Sequence, residues 1–160
     1  MQTPGFGSPV PIVPIFLAIC VVAAAPGLAQ TQDQNGMAEL AEADFALGIG
    51  KFDRAIELLT SIISKKPDQE ALYLARALAY SKKGDYDKSI QDLRKVTQMK
   101  NPDAMFEAYN MLGRIYEIKK DYASAQKAYQ EAFKRAKDPA TKKILEQWIA
   151  DMGTKLQKRK

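Results

Sequence analysis

The side chains that most often carry out catalysis or bind metals are scarce in this sequence. Histidine is absent, and the single cysteine, Cys20, lies in an apolar stretch near the amino terminus. The imidazole bases, thiolate nucleophiles and nitrogen or sulfur metal ligands of most active sites are therefore missing from the rest of the chain. Carboxylates, hydroxyls and amines remain as the candidates for chemistry.

Carboxylates are numerous among these candidates, with 19 Asp and Glu residues in the chain. Acid–base catalysis by carboxylates needs two of them held close together beside a substrate. Here they stand at predicted helix starts or next to Lys and Arg, where solvation and helix pairing account for them. The nine glycines are scattered or close helices, and they form no phosphate-binding loop. We expect no enzyme activity, no cofactor, no metal site and no small-molecule substrate.

The elements that carry these residues are predicted to be helices. After about residue 36, apolar residues recur at spacings of three and four, and no alternating run is long enough for a strand. Similar breaks occur at Gly50-Lys51-Phe52, Gly84-Asp85-Tyr86 and Lys120-Asp121-Tyr122. Their aromatic residues are 34 and then 36 residues apart, a period that indicates a helical repeat.

Local signals mark where the helices begin and end. Lys82 and Lys83 before Gly84 favour a helix end, because cations suit the last carbonyls and glycine adopts the left-handed conformation that closes a helix. Asn101-Pro102 and Asp138-Pro139 each place a side-chain acceptor at the N-cap and proline at the first helical position. The predicted helices are residues 37–49, 52–65, 68–83, 86–100, 102–119, 122–137 and 139–156.

The repeated unit resembles the tetratricopeptide repeat family. In the second repeat the residues that match its pattern are Tyr73, Ala77, Tyr80, Gly84, Tyr86, Ser89, Leu93 and Val96. In the third they are Tyr109, Leu112, Gly113, Tyr116, Tyr122, Ala125, Tyr129 and Ala132. The first repeat matches less well, since Glu39 and Ala46 stand where the family has aromatics. Lys120 replaces the glycine of the third repeat, so the geometry of that turn is an open question.

This resemblance implies an all-α fold, an α-solenoid of three helix-turn-helix repeats within residues 37–139. The repeats are assigned to residues 37–67, 68–101 and 102–138, and residues 139–156 are predicted to form a capping helix with an apolar face. A solenoid of this kind needs about three repeats and a cap to bury its apolar surface. Trp148 is predicted to anchor the cap, with contact to a partner protein as the alternative.

The resemblance also implies a protein-binding surface on the concave side, formed by the first helix of each repeat. Carried over by position, the groove residues are Leu40, Asp44, Leu47, Leu74, Leu78, Lys82, Asn110, Arg114 and Glu117. Some family members grip an acidic peptide tail with a set of Lys, Asn and Arg, but leucines occupy several of those positions here. An amphipathic helix or an extended peptide with one acidic or polar end is the expected occupant. The alternative is that Leu74 and Leu78 pack against the neighbouring hairpin.

The amino-terminal segment has the character of a targeting signal. Val10 to Ala25 is an apolar run followed by small residues, which predicts a secretory signal at residues 1–29 with cleavage near Ala29. A secretory signal usually begins with positive charge, but no Lys or Arg precedes Lys51. An uncleaved membrane anchor is the alternative, because Val10 to Leu28 approaches the ~20 apolar residues that a membrane span needs. A lipoprotein signal at Cys20 is disfavoured by its large neighbour Ile19. Residues 30–36 are predicted to form a flexible leader.

Most of the net charge of +5 lies at the carboxyl-terminal end, where six basic residues face two acidic ones after residue 141. The nearly balanced remainder argues against a nucleic-acid partner. We expect an exported, periplasmic or secreted protein- or peptide-binding adaptor. The alternative is a structural or envelope-associated subunit that docks to anionic membrane or wall surfaces through its basic end. A frayed, solvated terminus is the simpler interpretation of the basic residues 155–160, the last four of which, 157–160, form the predicted tail.

Overall fold

The computed structural model describes residues 26–158, with side chains described from residue 36 onward. This part of the chain is all helical and has no strand, which confirms the predicted fold class. Its helices are α1 (Pro26–Gly48), α2 (Phe52–Lys65), α3 (Glu70–Lys83), α4 (Tyr86–Thr97), α5 (Pro102–Ile118), α6 (Tyr122–Arg135) and α7 (Pro139–Gln157). From α2 onward, each helix begins within two residues of the predicted position.

Helix α1 is longer than predicted. It begins at Pro26, so that residues 30–36, which we predicted to be a flexible leader, belong to the helix. Proline is favoured at the first helical position, and the single glycine in the stretch, Gly36, costs a helix only about 1 kcal/mol relative to alanine. The predicted signal peptide lies almost wholly outside the described residues. None of the helices within residues 26–158 combines the length and the apolar character needed to cross a bilayer.

The helices pair into three hairpins, α1 with α2, α3 with α4 and α5 with α6, and α7 packs on α6. The turn inside each hairpin contains one residue with positive φ: Gly50 at 75°, Gly84 at 90° and Lys120 at 58°. Lys120 therefore adopts the same left-handed conformation as the two glycines. Replacing the glycine has left the path of the turn unchanged.

The predicted N-caps at the starts of α5 and α7 are present. The Asn101 side chain accepts hydrogen bonds from the backbone N–H groups of Asp103 and Ala104, at 3.1 and 3.2 Å. Asp138 accepts one from the backbone N–H of Thr141 at 2.8 Å. These bonds satisfy N–H groups that have no partner within the helix.

Small residues let the two helices of a hairpin approach closely. In the second hairpin, the buried Ser89 hydroxyl donates to the backbone oxygen of Ala77 at 2.7 Å. In the third, a Cβ on Gly113 would lie 2.3 Å from the Tyr129 ring, so only glycine fits beneath that ring. The small residues predicted from the repeat pattern thus lie where the helices meet.

The core runs through all three hairpins and continues under α7. Tyr129, Leu145 and Met152 are almost completely buried in the part that joins α6 to α7. The ring of Trp148 lies 5.2 Å from that of Tyr129, yet its side chain is 37% exposed. Leu145 and Met152 are therefore more completely buried than Trp148. Trp148 packs against Tyr129 at the edge of the cap.

Candidate functional site

The first helices of the second and third hairpins enclose a cavity of about 310 Å³, which we call the inner cavity. Its lining comes from α3 and α5, which contact each other directly. The lining residues are Leu78, Ser81, Lys82, Met111, Arg114, Ile115 and Ile118. Three predicted groove residues, Leu78, Lys82 and Arg114, are thus brought together in one site.

The apolar part of the inner cavity is open to solvent. Leu78 is 40% exposed and Ile118 is 55% exposed, one on each wall. Ile115 beneath them is only 2% exposed and belongs to the core. Exposed aliphatic side chains on a firmly packed floor are what a binding surface for an apolar segment requires.

The polar part of the inner cavity carries positive charge. Lys82 and Arg114 stand on opposite walls, and neither forms an ion pair with any described residue. The other two cations on these helices are paired, Arg76 with Asp92 at 2.7 Å and Lys83 with Asp53. Two cations without counter-ions beside exposed aliphatic side chains favour a ligand that is apolar and carries an acidic group.

Asn110 lies on α5 and is partly buried. Its side-chain oxygen Oδ1 is shielded from solvent and has no hydrogen-bond partner among the described residues. A buried acceptor without a partner costs about 1–3 kcal/mol. Asn110 is not among the residues that line the inner cavity.

The other predicted groove residues lie outside the inner cavity. Leu40 and Asp44 are exposed on α1. Leu47 and Leu74 are partly buried and pack against the core clusters, as the alternative interpretation of Leu74 had it. Three of the nine predicted groove residues therefore line the inner cavity, which lies between α3 and α5.

Glu117, which was also predicted to line the groove, contacts the capping helix and Tyr129 of α6. Its Oε1 accepts a hydrogen bond from Lys155 Nζ of α7 at 2.8 Å, and its Oε2 one from the Tyr129 hydroxyl at 3.3 Å. Burial and the neighbouring Glu117 carboxylate raise the pKa of Tyr129. Hydrogen bonds to Asp151 and Glu117 raise the pKa of Lys155, so this cation of the basic end is already paired within the domain.

Sequence reasoning missed the apolar residues of the α5 wall. Met111, Ile115 and Ile118 follow one another at spacings of four and three, which places them on one face of a helix. That pattern is typical of a core face, and it gives no sign that Ile118 is solvent-exposed. Within the described residues, no group of acidic side chains is arranged to hold a metal ion.

Comparison with known proteins now assigns the family. A family model described as Tetratricopeptide Repeats-Sensor matches residues 51–142, more than half of the chain. The chain belongs to this family. The match runs from the turn before α2 to the first residues of α7, and thus includes both walls of the inner cavity.

Two curated relatives of this family member carry the same repeat in their names. Over 105 residues it is 28% identical to tetratricopeptide repeat protein 37 of Xenopus laevis, covering 64% of this chain and 7% of that protein. Over 82 residues it is 30% identical to tetratricopeptide repeat protein 12 of Mus musculus, covering 51% and 11%. The chain thus spans only a small part of the length of these relatives.

Among solved structures, the fold is similar to that of the Sgt2 tetratricopeptide repeat domain from Aspergillus fumigatus. The TM-score is 0.65, with 78% of this chain and 81% of that chain covered and 21% sequence identity. At this identity the likeness concerns the fold, which it confirms as an α-solenoid.

Proposed function

We propose that this protein is a non-enzymatic adaptor that binds a partner protein through the inner cavity. The single observation that carries the proposal is the combination of exposed Leu78 and Ile118 with the unpaired Lys82 and Arg114 in one cavity. The matching ligand is a short apolar segment of a partner chain with an acidic residue beside it.

The two halves of the cavity contribute differently to such binding. Covering the exposed aliphatic surface of Leu78 and Ile118 supplies affinity, at about 25 cal/mol for each Å² removed from water. The charges of Lys82 and Arg114 select for an acidic partner and speed its association.

The apolar half is tested with a charge placed on Leu78. Leu78→Glu is expected to lower partner capture at least tenfold while the helical circular dichroism stays the same, because residue 78 is already partly solvated. Ile144→Glu is the matched control, since Ile144 is 45% exposed on α7, away from the cavity. Equal capture by the two variants, measured by cross-linked pull-down, would show that partners bind elsewhere.

The charged half is tested with Arg114→Glu, which reverses one of the two cations. Association of an acidic partner is expected to slow severalfold, and the difference from the unmodified protein should shrink at high salt. Lys100→Glu makes the same charge change at an exposed residue outside the cavity. Surface plasmon resonance at two salt concentrations measures both variants against the captured partner.

We further propose that the chain is exported. The support is the apolar run from Val10 to Ala25 and the small residues that follow it. A signal cleaved near Ala29 predicts a native protein that lacks about the first 29 residues. Mass measurement of the protein purified from its own cells tests this, and a full-length mass would favour the uncleaved anchor.

A further inference from the structure

A second cavity lies on the opposite side of the third hairpin and differs in character from the inner cavity. It has a volume of about 260 Å³ and is enclosed by α4, α5 and α6; we call it the outer cleft. Its floor includes the buried Leu112 and Ala128, and its sides include Tyr109 and Tyr116. Arg94 and Lys127 bring positive charge to it from α4 and α6.

The equivalent place one repeat earlier is filled by an ion pair. One repeat earlier, Arg76 lies between α2 and α4, and its guanidinium donates to the Asp92 carboxylate at 2.7 and 2.8 Å and to Thr60 at 3.0 Å. Both ends of that bridge are largely buried, with side-chain exposures of 16% and 9% for Arg76 and Asp92. The cleft between the second helices of the first two hairpins is thus closed by an ion pair.

The outer cleft lacks that ion pair. Leu112 is the residue 36 positions after Arg76, and Ala128 is 36 positions after Asp92, matching the spacing of Tyr86 and Tyr122. Leucine and alanine are shorter than the residues they replace and carry no charge. Both the guanidinium and the carboxylate are therefore missing from the floor, and an open space remains.

The outer cleft contains an arginine, but at another position than the arginine of the preceding repeat. Its described lining contains no carboxylate that is available to pair with this arginine. Arg94 is the residue 34 positions after Thr60, and it lies on α4 at one side of the cleft. It donates to the Tyr116 hydroxyl at 3.1 Å and forms no ion pair with any described residue. The one carboxylate in the lining, Glu131, is held by Lys134 and Arg135 at 2.5 and 2.7 Å. The cleft thus offers Arg94 and Lys127 to an acid that the described residues do not supply.

We propose that the outer cleft is a binding site for a small apolar carboxylate. Its carboxylate pairs with Arg94 and Lys127, and its hydrophobic body lies on Leu112 and Ala128 between the two tyrosine rings. The same chemistry is offered by a free aromatic or branched acid and by the carboxyl-terminal residue of a peptide. The site is independent of the inner cavity, because it uses other faces of α5 and a different set of cations.

The first test is nuclear magnetic resonance titration of the full chain with three probes that share one ring: phenylacetate, phenylacetamide and phenethylamine. Phenylacetate is expected to shift the amide signals of Leu112, Tyr116 and Ala128, with at least tenfold weaker effects from the neutral and cationic probes. Equal shifts from all three probes, or no shift with phenylacetate, would overturn the proposal. N-acetyl-Gly-Gly-Phe with a free carboxyl end distinguishes the sources, since tighter binding than phenylacetate identifies a peptide terminus.

The second test uses variants of the cleft. Arg94→Met removes the charge of an exposed residue, so the fold is retained, and it is expected to weaken phenylacetate binding at least fivefold. Lys95→Met, the same change at the next residue, lies outside the lining and should have no effect. The double variant Leu112→Arg with Ala128→Asp restores the ion pair of the preceding repeat and should abolish binding. Retention of binding by Arg94→Met would contradict the proposal.

Discussion

The second and third hairpins follow one plan, displaced by 36 residues, yet they are held together by different means. The second, α3 with α4, is stabilised by the largely buried ion pair of Arg76 and Asp92, which also reaches Thr60 of the first hairpin. The third, α5 with α6, has leucine and alanine at those positions and packs the Tyr129 ring onto Gly113 and Trp148 instead. The same backbone geometry is therefore compatible with either a buried ion pair or aromatic packing between the two helices.

The type of contact in each hairpin matches the elements that pack against that hairpin. The second hairpin has another hairpin on either side, and the ion pair ties α2, α3 and α4 together. The third has α7 on one side, and aromatic rings provide the large apolar area that a cap must cover. The hydrogen bonds that Arg76 donates to the Asp92 carboxylate raise the pKa of the guanidinium.

The largest effect is expected when the bridge of the second hairpin is broken on one side. Asp92→Ala leaves the Arg76 guanidinium partly buried without its counter-ion, and it should lower the free energy of unfolding by about 3 kcal/mol. Urea unfolding followed by circular dichroism measures the change. The variant Arg76→Leu with Asp92→Ala, which copies the third hairpin, should restore most of the loss. A double variant as unstable as the single one would show that the ion pair itself, and not the stranded charge, is what matters.

A somewhat smaller effect is expected at the close approach in the third hairpin. Gly113→Ala places a methyl group 2.3 Å from a Tyr129 ring that is buried and held against Trp148, so we expect a loss of about 2 kcal/mol. The equivalent residue of the second hairpin is already alanine. Its reverse variant, Ala77→Gly, should cost about 1 kcal/mol through helix propensity, and the loss of a fully buried methyl group adds to that cost. A neutral Gly113→Ala would mean that the ring has room to move.

The starts of α4 and α6 provide a comparison that depends on pH. At the start of α6, the Asp121 side chain accepts a hydrogen bond from the backbone N–H of Ser124 at 3.1 Å, and hydrogen bonding to Ser124 lowers the pKa of Asp121. At the start of α4, Asp85 makes no such cap bond and pairs with Lys88 instead. A carboxylate whose pKa is lowered on folding stabilises the fold at pH values above about 4. This stabilisation is lost as the pH falls through the pKa of the folded state. Asp121→Ala should therefore cost about 1 kcal/mol at pH 7 and progressively less as the pH falls below about 4. Asp85→Ala should cost less at pH 7, and an equal cost would contradict the difference in capping.

The smallest effect is expected in the turns. Lys120 has φ of 58°, a conformation that glycine adopts without strain. Lys120→Gly should stabilise the protein by about 0.5 kcal/mol, the remainder after the greater freedom of glycine in the unfolded chain is subtracted. The reciprocal variant Gly84→Lys should destabilise it by about 1 kcal/mol. Thermal unfolding of the two variants side by side checks both signs.

The sequence predicted those features that depend on neighbouring residues. Proline after Asn101 or Asp138, and glycine after Lys82 and Lys83, act within one turn of the chain, so helix starts and hairpin turns could be located. The repeat pattern likewise located the small residues where helices meet. The start of α1 was missed because residues 30–36 contain no apolar pattern to indicate a helix.

Features that depend on contacts between distant residues could not be predicted. Arg76 and Asp92 are 16 residues apart, and Glu117 and Lys155 are 38 apart, so their pairing follows from how helices rotate against one another. The same rotation decides that Leu74 is partly buried while Leu78, one turn later, is 40% exposed. The inner cavity therefore shares only three residues with the groove predicted from the sequence.

We propose that a partner chain lies in the inner cavity between α3 and α5. A photo-cross-linking amino acid at position 111, inside the cavity, tests it most directly, with position 147, exposed on α7, as the control. We expect illumination in cell extract to join one partner to position 111, at a peptide containing apolar residues beside Asp or Glu, and to leave position 147 unlinked. Cross-links of equal yield at both positions, or at position 147 alone, would contradict the account.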